Sequence, residues 1–358
     1  MQTQPFSGSY KAGSIEFLLK PLVIQMTSVE EKERLIQSGQ RHYSEMLSQE
    51  PEPSPRHLQL FHSALELGGQ RLALESVQLA KAIRQRLEGR PIVLVSLVRA
   101  GVPLGVILHQ TLQELGAESY HYGISIIRDR GIDHEALGII ESRHGTEGIV
   151  FIDGWTGKGA ITGELKRTLA DRPGYPDMPR LVVLADPCGC SWLSASGDDW
   201  LIPFGILGAP VSGLVSRSIW TDSGLHGCVH CNHLAEYECS EYLVDVIASH
   251  RQKLDLDSIP ACSWEVGDAL PLALESSQVI DELADKYGIS NRNRIKPGIA
   301  EATRAVLRRV PDHVLVRSIN DNDVILLVHL AKELGIVITE VGAALGPYRA
   351  VTIIKKVS

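Results

Sequence analysis

Residues 148–169, GIVFIDGWTGKGAITGELKRTL, decide the fold. Ile149, Val150, Phe151 and Ile152 form a continuous apolar run bounded by glycine, which predicts a strand buried on both faces of a parallel sheet. Asp153 stands at the carboxyl end of that strand. Gly154, Trp155, Thr156, Gly157, Lys158 and Gly159 cannot continue it, and from Ala160 a helical spacing puts Ile161, Leu165 and Leu169 on one face. A strand, a glycine-rich turn and a helix start form the junction where open α/β sheets bind ligands, and free amides plus the helix dipole favour a phosphate there. The adjacent acid points to a sugar phosphate. A Walker A loop is excluded, because the register from Gly154 reaches Gly159 followed by Ala160, and the turn is too short for GxGxxG. The plain alternative is a tight connection that binds nothing.

Two further strand ends repeat the pattern. Residues 91–98, PIVLVSLV, read as a buried strand that empties into Arg99, Ala100 and Gly101 before a helix. Arg99 offers several donors to a phosphate, and Gly101 lets backbone approach closely. Residues 120–127 alternate into another strand, followed by the charged turn Arg128, Asp129, Arg130, Gly131, Ile132, Asp133 and His134, for which a solvated hairpin tip is the alternative.

In this order the three junctions resemble those of type I phosphoribosyltransferases. The resemblance implies that Arg99, Ala100 and Gly101 hold pyrophosphate. A mobile loop carrying Arg128, Asp129 and Arg130 would close over phosphoribosyl pyrophosphate (PRPP), excluding water and adding cationic donors. Asp153 would hold the ribose hydroxyls, with Gly154, Thr156, Gly157, Lys158 and Gly159 around the 5-phosphate. Arg128, Asp129, Arg130 and Asp153 are then the catalytic group, and Mg2+ accompanies PRPP. The family usually carries two adjacent acids, and here the second position is Gly154.

The chain has 358 residues, 44% hydrophobic and 22% charged, as expected of a globular protein of two domains or one with an appendix. No apolar run approaches the roughly 20 residues that span a bilayer, and the start, MQTQPFSGSYK, has no apolar signal core. A cytoplasmic protein with no membrane partner is expected. Six cysteines in such a length make no disulfide framework.

Elsewhere, residues 15–19 predict a short strand and residues 29–47 a polar helix broken near Gly39. Ser54 and Pro55 start a helix that Gly68 and Gly69 are expected to break, with a second helix over residues 72–87. Residues 180–185 predict a fourth strand, ending in Asp186, Pro187, Cys188, Gly189 and Cys190. DDWLIPFGILGAPVSGLVSR follows from Asp198. Together with SGSYKAGSIEFLLKPL, SGQRHYSEML, VSLVRAGVPLG, IIRDRGID and FIDGWTGKGAI, these segments resemble the bacterial phosphoribosyltransferase-like family found with tellurite-resistance stress genes, whose members carry a Pelota-type RNA-binding domain. The same family is labelled cysteine protease StiP.

A thiol protease needs a cysteine within reach of a histidine, the thiolate stabilised by a helix start. Cys188 and Cys190 follow a strand end, and His226, His230 and His233 come later, but no papain-like or caspase nucleophile signature is present. Cys228 and Cys231 have CxxC spacing, and Cys239 with His226 would complete a tetrahedral zinc site. Only one CxxC exists, so buried thiols and surface histidines are the favoured alternative.

Charge is uneven. Residues 290–358 carry 11 Lys+Arg against 6 Asp+Glu, or +5, leaving 24 minus 37, or −13, for the rest. Such a split suggests a polyanion as partner of the tail, with a solvated basic face as the alternative. Residues 251–290 read as an acidic connector with a helix over 277–287. Beyond it, Lys296 and Gly298 open a helix, and strands over 313–316, 336–340 and 350–357 alternate with a second helix that Asp323 caps. This unit resembles the L30e and Pelota fold, which implies RNA contact through Lys296, Gly298, Glu301 and Arg304. Ala300 stands where that family often has Asn.

The expected architecture is α/β: a type I phosphoribosyltransferase-like parallel sheet domain over residues 1–255, a connector over 256–290, and a small Pelota-like RNA-binding domain over 291–358. The expected function is transfer of ribose 5-phosphate from Mg-PRPP to a base-like acceptor, coupled to RNA binding in a stress response, with a homo-oligomer left open. The alternatives are a StiP-type cysteine protease using Cys188 or Cys190, and a non-catalytic nucleotide- or RNA-binding protein.

Overall fold

A computed structural model describes residues 5–356. In chain order the elements are β1 (Glu16–Phe17), β2 (Lys20–Pro21), α1 (Val29–Gln37), α2 (Pro55–Leu87), β3 (Ile92–Val98), α3 (Val102–Glu114), β4 (Ser119–Ile127), β5 (Gly131–Ile132), α4 (His134–His144), β6 (Ile149–Ile152), α5 (Ala160–Leu169), β7 (Leu181–Ala185) and β8 (Leu193–Ser196). Then come α6 (Pro203–Ile206), β9 (Gly227–Cys228), α7 (Ser240–Arg251), α8 (Val266–Lys286), β10 (Ile295–Pro297), α9 (Ile299–Arg308), β11 (Pro311–Val316), α10 (Ile325–Glu333), β12 (Val337–Glu340) and β13 (Ala350–Ile354). Val357, the expected end of the last strand, lies outside the described residues.

The main sheet runs β1-β4-β3-β6-β7-β8 with every neighbour parallel, and β5 folds back antiparallel on β4. β3, β6 and β7 are buried along their whole length, as continuous apolar runs require. After the edge strand β1, the chain passes to β3, moves back to β4 between them, then crosses to β6 on the other side. Strand order therefore reverses between β3 and β6, and a ligand crevice is expected outside their carboxyl ends.

One expectation fails because of packing. Gly68 and Gly69 do not break the helix: α2 runs unbroken for 33 residues behind its Ser54 cap. A Cβ on Gly68 would lie 3.0 Å from Trp200 and one on Gly69 3.1 Å from His250, so the glycines admit neighbours to the helix surface. The helix expected over 277–287 is present within a longer one, which packs on the second sheet. α8 spans 21 residues, and its Val279, Ile280, Leu283 and Ala284 form one core with Ile295, Leu315, Val351 and Ile353 of the second sheet. That sheet, β10-β13-β11-β12, is covered on its other side by α9 and α10, which share the large core cluster with the first unit. Asp323 does not cap α10; Asp321 caps the turn before it, and the Asp323 carboxylate accepts from Leu201 N–H across the interface. No described helix is long and apolar enough to cross a membrane.

Candidate functional site

The crevice at the switch point holds a cavity of about 240 Å³, closed on its far side by the C-terminal unit. From the main sheet come Arg99 and Ala100 after β3, Arg128 after β4, and Asp153, Thr156, Gly157, Lys158 and Gly159 after β6. Arg217 joins them from the VSGLVSR segment, and Lys296, Glu301, Arg304 and Arg308 from β10 and α9. Seven cationic side chains thus face two acids in a chain of net charge −8.

The β6–α5 turn has the form expected of an anion cradle. Gly159 lies at φ +75, which L side chains rarely adopt, and no side chain caps the ten-residue helix that follows. Thr156 Oγ1 donates to Asp186 Oδ1 at 2.5 Å, anchoring the turn to the end of β7. The Lys158 ammonium donates to the carbonyls of Arg292 at 2.5 Å and Ile295 at 2.8 Å, tying it to the second unit. Burial, with Lys296 and Arg128 nearby, pushes Lys158 down to about 6.

The neighbouring cations feel the same crowding. Burial lowers Lys296 to about 8, and burial with Arg308 and Arg99 lowers Arg304 to about 9. Arg304 lies over the Trp155 ring at 4.4 Å, and its buried Nε has no hydrogen-bond partner. Burial alone would raise Glu301, but Lys296, Arg128, Arg304 and Lys158 together hold it at about 2. Asp153 is the opposite case: burial pushes its carboxyl up to about 7, although Oδ1 accepts from Gly154 N–H at 2.8 Å. Glu50 pairs Arg99 and Arg308 and Glu301 pairs Lys296, so the surplus charge of Arg128, Arg217 and Arg304, with the orphaned Arg304 Nε, is what fits a polyphosphorylated ligand.

Not every expected residue reaches the cavity. Gly101 is structural: a Cβ there would sit 1.9 Å from the Ile152 carbonyl oxygen, so it lets α3 pack against β6. Gly154 likewise faces Phe204 and the Ala100 carbonyl. Arg130 is turned away, paired with Glu45 and lying over Trp220 at 4.6 Å. Asp129 is largely exposed on an outer groove, at φ +67, its N–H donating to Glu164. The segment expected as a mobile loop is a tight β4–β5 hairpin, because Arg130 and Asp129 are both held by side chains of other elements. Of the charged turn, Arg128 alone lines the cavity.

Of the four tail residues expected to contact RNA, Lys296, Glu301 and Arg304 stand between the cavity and the outer groove and line both. Lys296 is 5% exposed. Asp199, from the DDW segment, occupies the start of α9: its carboxylate accepts from Ile299 N–H at 2.9 Å and Arg349 N–H at 2.8 Å, with Gly298 against it. The first α9 amide is therefore used internally. Tyr348 Oη donates to the Gly157 carbonyl at 2.6 Å, completing the join. Sequence reading missed Asp199 and Glu50, which holds Arg99 and Arg308; the adjacent acids of DDW were the available signal for the first.

The zinc set does not assemble. The Cys228 thiol is packed in the main core, Cys231 in a separate small cluster, and Cys239 donates to the Tyr237 carbonyl. The His226 ring bonds Ser125 at 2.7 Å. Among the described residues the group with close ligand atoms is instead Asp186, Cys188 and Cys190.

The fold and site define an α/β protein with a cation-lined crevice at its switch point, bordered by a second α/β unit. Residues 8–248 match the family described as tellurite-like stress resistance cysteine protease StiP, and residues 274–356 match the PELOTA RNA binding domain. A protein of Acinetobacter baylyi named cysteine protease StiP is 50% identical over 99% of this chain and 95% of its own length. The chain belongs to the StiP family. Among solved structures, a hypoxanthine phosphoribosyltransferase of Trypanosoma cruzi is 14% identical, with 48% of this chain and 93% of that one covered, at a TM-score of 0.29.

Proposed function

We propose that this StiP-family protein is an enzyme whose working site is the cavity between the main sheet and the C-terminal unit, and that it transfers ribose 5-phosphate from PRPP to a base-like acceptor. The observation that supports this reading is the convergence of seven cations and an uncapped glycine-turn helix start on one buried acid at the switch point. The α5 amides with Thr156 and Gly157 would take the 5-phosphate, and Asp153 the ribose hydroxyls. Arg128, Lys158 and Arg304 would stabilise charge growing on the departing diphosphate, so catalysis comes from positioning and electrostatics. Magnesium, when bound with PRPP, would neutralise diphosphate charge, and Asp153 is the sheet-side carboxylate available to it. RNA would approach through the outer groove, where Lys32, Arg41, Arg294, Arg309 and Lys356 continue the cationic lining. Calorimetry of Mg-PRPP against the full chain and against Asp153→Ala tests the reading: binding that is lost or weakened in the variant supports it, and no binding to either protein counts against it.

The second reading is a cysteine protease, the activity named for the Acinetobacter baylyi relative. Cys190 supports it. Its Sγ lies 3.1 Å from Thr162 Oγ1 in the first turn of α5, facing the positive end of the helix dipole. Among the described residues no histidine ring hydrogen-bonds a cysteine, so the dipole and Cys188 would have to activate it. Loss of peptide cleavage on iodoacetamide treatment, in protein that ignores PRPP, would establish this reading over the first.

A further inference from the structure

Cys188 and Cys190 flank Gly189 in the turn after β7, and their sulfurs are 3.2 Å apart. Gly189 lies at φ +58, and a Cβ there would be 2.0 Å from the Ala269 carbonyl oxygen of α8, so the turn is pinned with both thiols on one side. A disulfide needs about 2.05 Å, so the sulfurs must approach by only about 1.2 Å. Cys188 is buried and Cys190 half-buried at the start of α5, an asymmetry that makes Cys190 the accessible nucleophile and Cys188 the resolving thiol. The remaining cysteines sit apart, Cys228 in the core and Cys262 donating to the Ser194 carbonyl at 2.8 Å.

The pair is joined to the anion cradle at two points, the contact of Cys190 Sγ with Thr162 Oγ1 and a shared carboxylate oxygen of Asp186. Asp186 Oδ1 accepts both from Cys190 N–H at 3.1 Å and from Thr156 Oγ1 at 2.5 Å. We infer that Cys188 and Cys190 form a reversible dithiol–disulfide pair, oxidised by peroxides, that disarranges the Thr156–Gly159 turn when it closes. The Cys190 thiolate attacks the peroxide O–O bond, giving Cys190 sulfenic acid and releasing hydroxide. The Cys188 thiol then attacks the sulfenic sulfur, forming the disulfide and releasing water. Overall, two thiols and one hydrogen peroxide give one disulfide and two waters. Drawing Cys190 toward Cys188 pulls its N–H from Asp186 Oδ1, the atom that also accepts from Thr156, while Ser191 keeps its hold on Oδ2 at 2.6 and 2.7 Å; the hydrogen bonding of Oδ1, and with it the anchor of Thr156, changes.

Formation of the disulfide does not depend on the proposed transferase activity; its effect on the cradle rests on that reading. The test treats the full chain with hydrogen peroxide, blocks free thiols with N-ethylmaleimide and maps the peptide holding both cysteines by mass spectrometry. The expected result is an unlabelled peptide lighter by two hydrogens, restored by dithiothreitol and absent in Cys188→Ser and Cys190→Ser. Sulfinic acid on Cys190 without an internal disulfide would overturn the pair. Pyrophosphate binding, followed by calorimetry, is expected to weaken at least tenfold in the oxidised wild-type protein and to be unaffected by peroxide in the serine variants. Equal affinity in the two redox states would overturn the coupling while leaving the anion site standing.

Discussion

Lys158 gives the sharpest test of the cavity. Its folded-state value near 6, against an ordinary 10.5, means that at pH 7 it is about one-tenth protonated in the empty site. A bound diphosphate supplies the missing counter-charge and returns it to the ordinary range, so binding at pH 7 takes up about 0.9 proton at this residue. Affinity should consequently be about fiftyfold weaker at pH 8 than at pH 6 from Lys158 alone. The assay is calorimetry of pyrophosphate in buffers of different ionisation enthalpy, with Lys158→Met subtracting the ligand's own titration. The sign for stability is equally fixed. Because the folded value is depressed, the unfolded chain binds more protons between pH 6 and 10.5, so the ligand-free protein should gain stability with rising pH across that window. Lys158→Met should flatten the slope. Buffer-independent heats, or a wild-type slope equal to that of the variant, would refute a desolvated, cation-crowded Lys158.

Other outcomes follow from the joint between the units. Asp199→Ala leaves the buried Ile299 N–H and the half-buried Arg349 N–H without this acceptor, at about 1–3 kcal/mol for the buried one, and should lower the urea midpoint of the full chain, with pyrophosphate affinity falling alongside. Replacing Arg308 or Lys296 by Ala in the full chain should lower the salt dependence of polyanion binding by about one unit each, read from affinity across a salt series. Gly189→Ala should destabilise through backbone contact with α8, seen as a lower melting temperature.

What the sequence revealed was local. The apolar runs of β3, β6 and β7 and the turn after Asp153 could be read because a buried strand and a glycine turn leave contiguous signatures. What it concealed depends on partners distant in the chain. Arg99 and Arg130 look alike at two strand ends, yet Glu50 holds one at the cavity wall and Glu45 holds the other away from it. Gly68 and Gly69 read as a break because their packing partners, Trp200 and His250, lie over a hundred residues on. That the tail residues Lys296, Glu301 and Arg304 also line the cavity could not be read, because nothing local announces that Asp199 will seat α9 against the first unit.

The most direct measurement is a crystal structure of the full chain soaked with PRPP and magnesium. The 5-phosphate is expected over Thr156, Gly157 and the α5 amides, with the diphosphate among Arg128, Lys158 and Arg304. Clear density for PRPP elsewhere, or an empty cavity at saturating concentration, would contradict it.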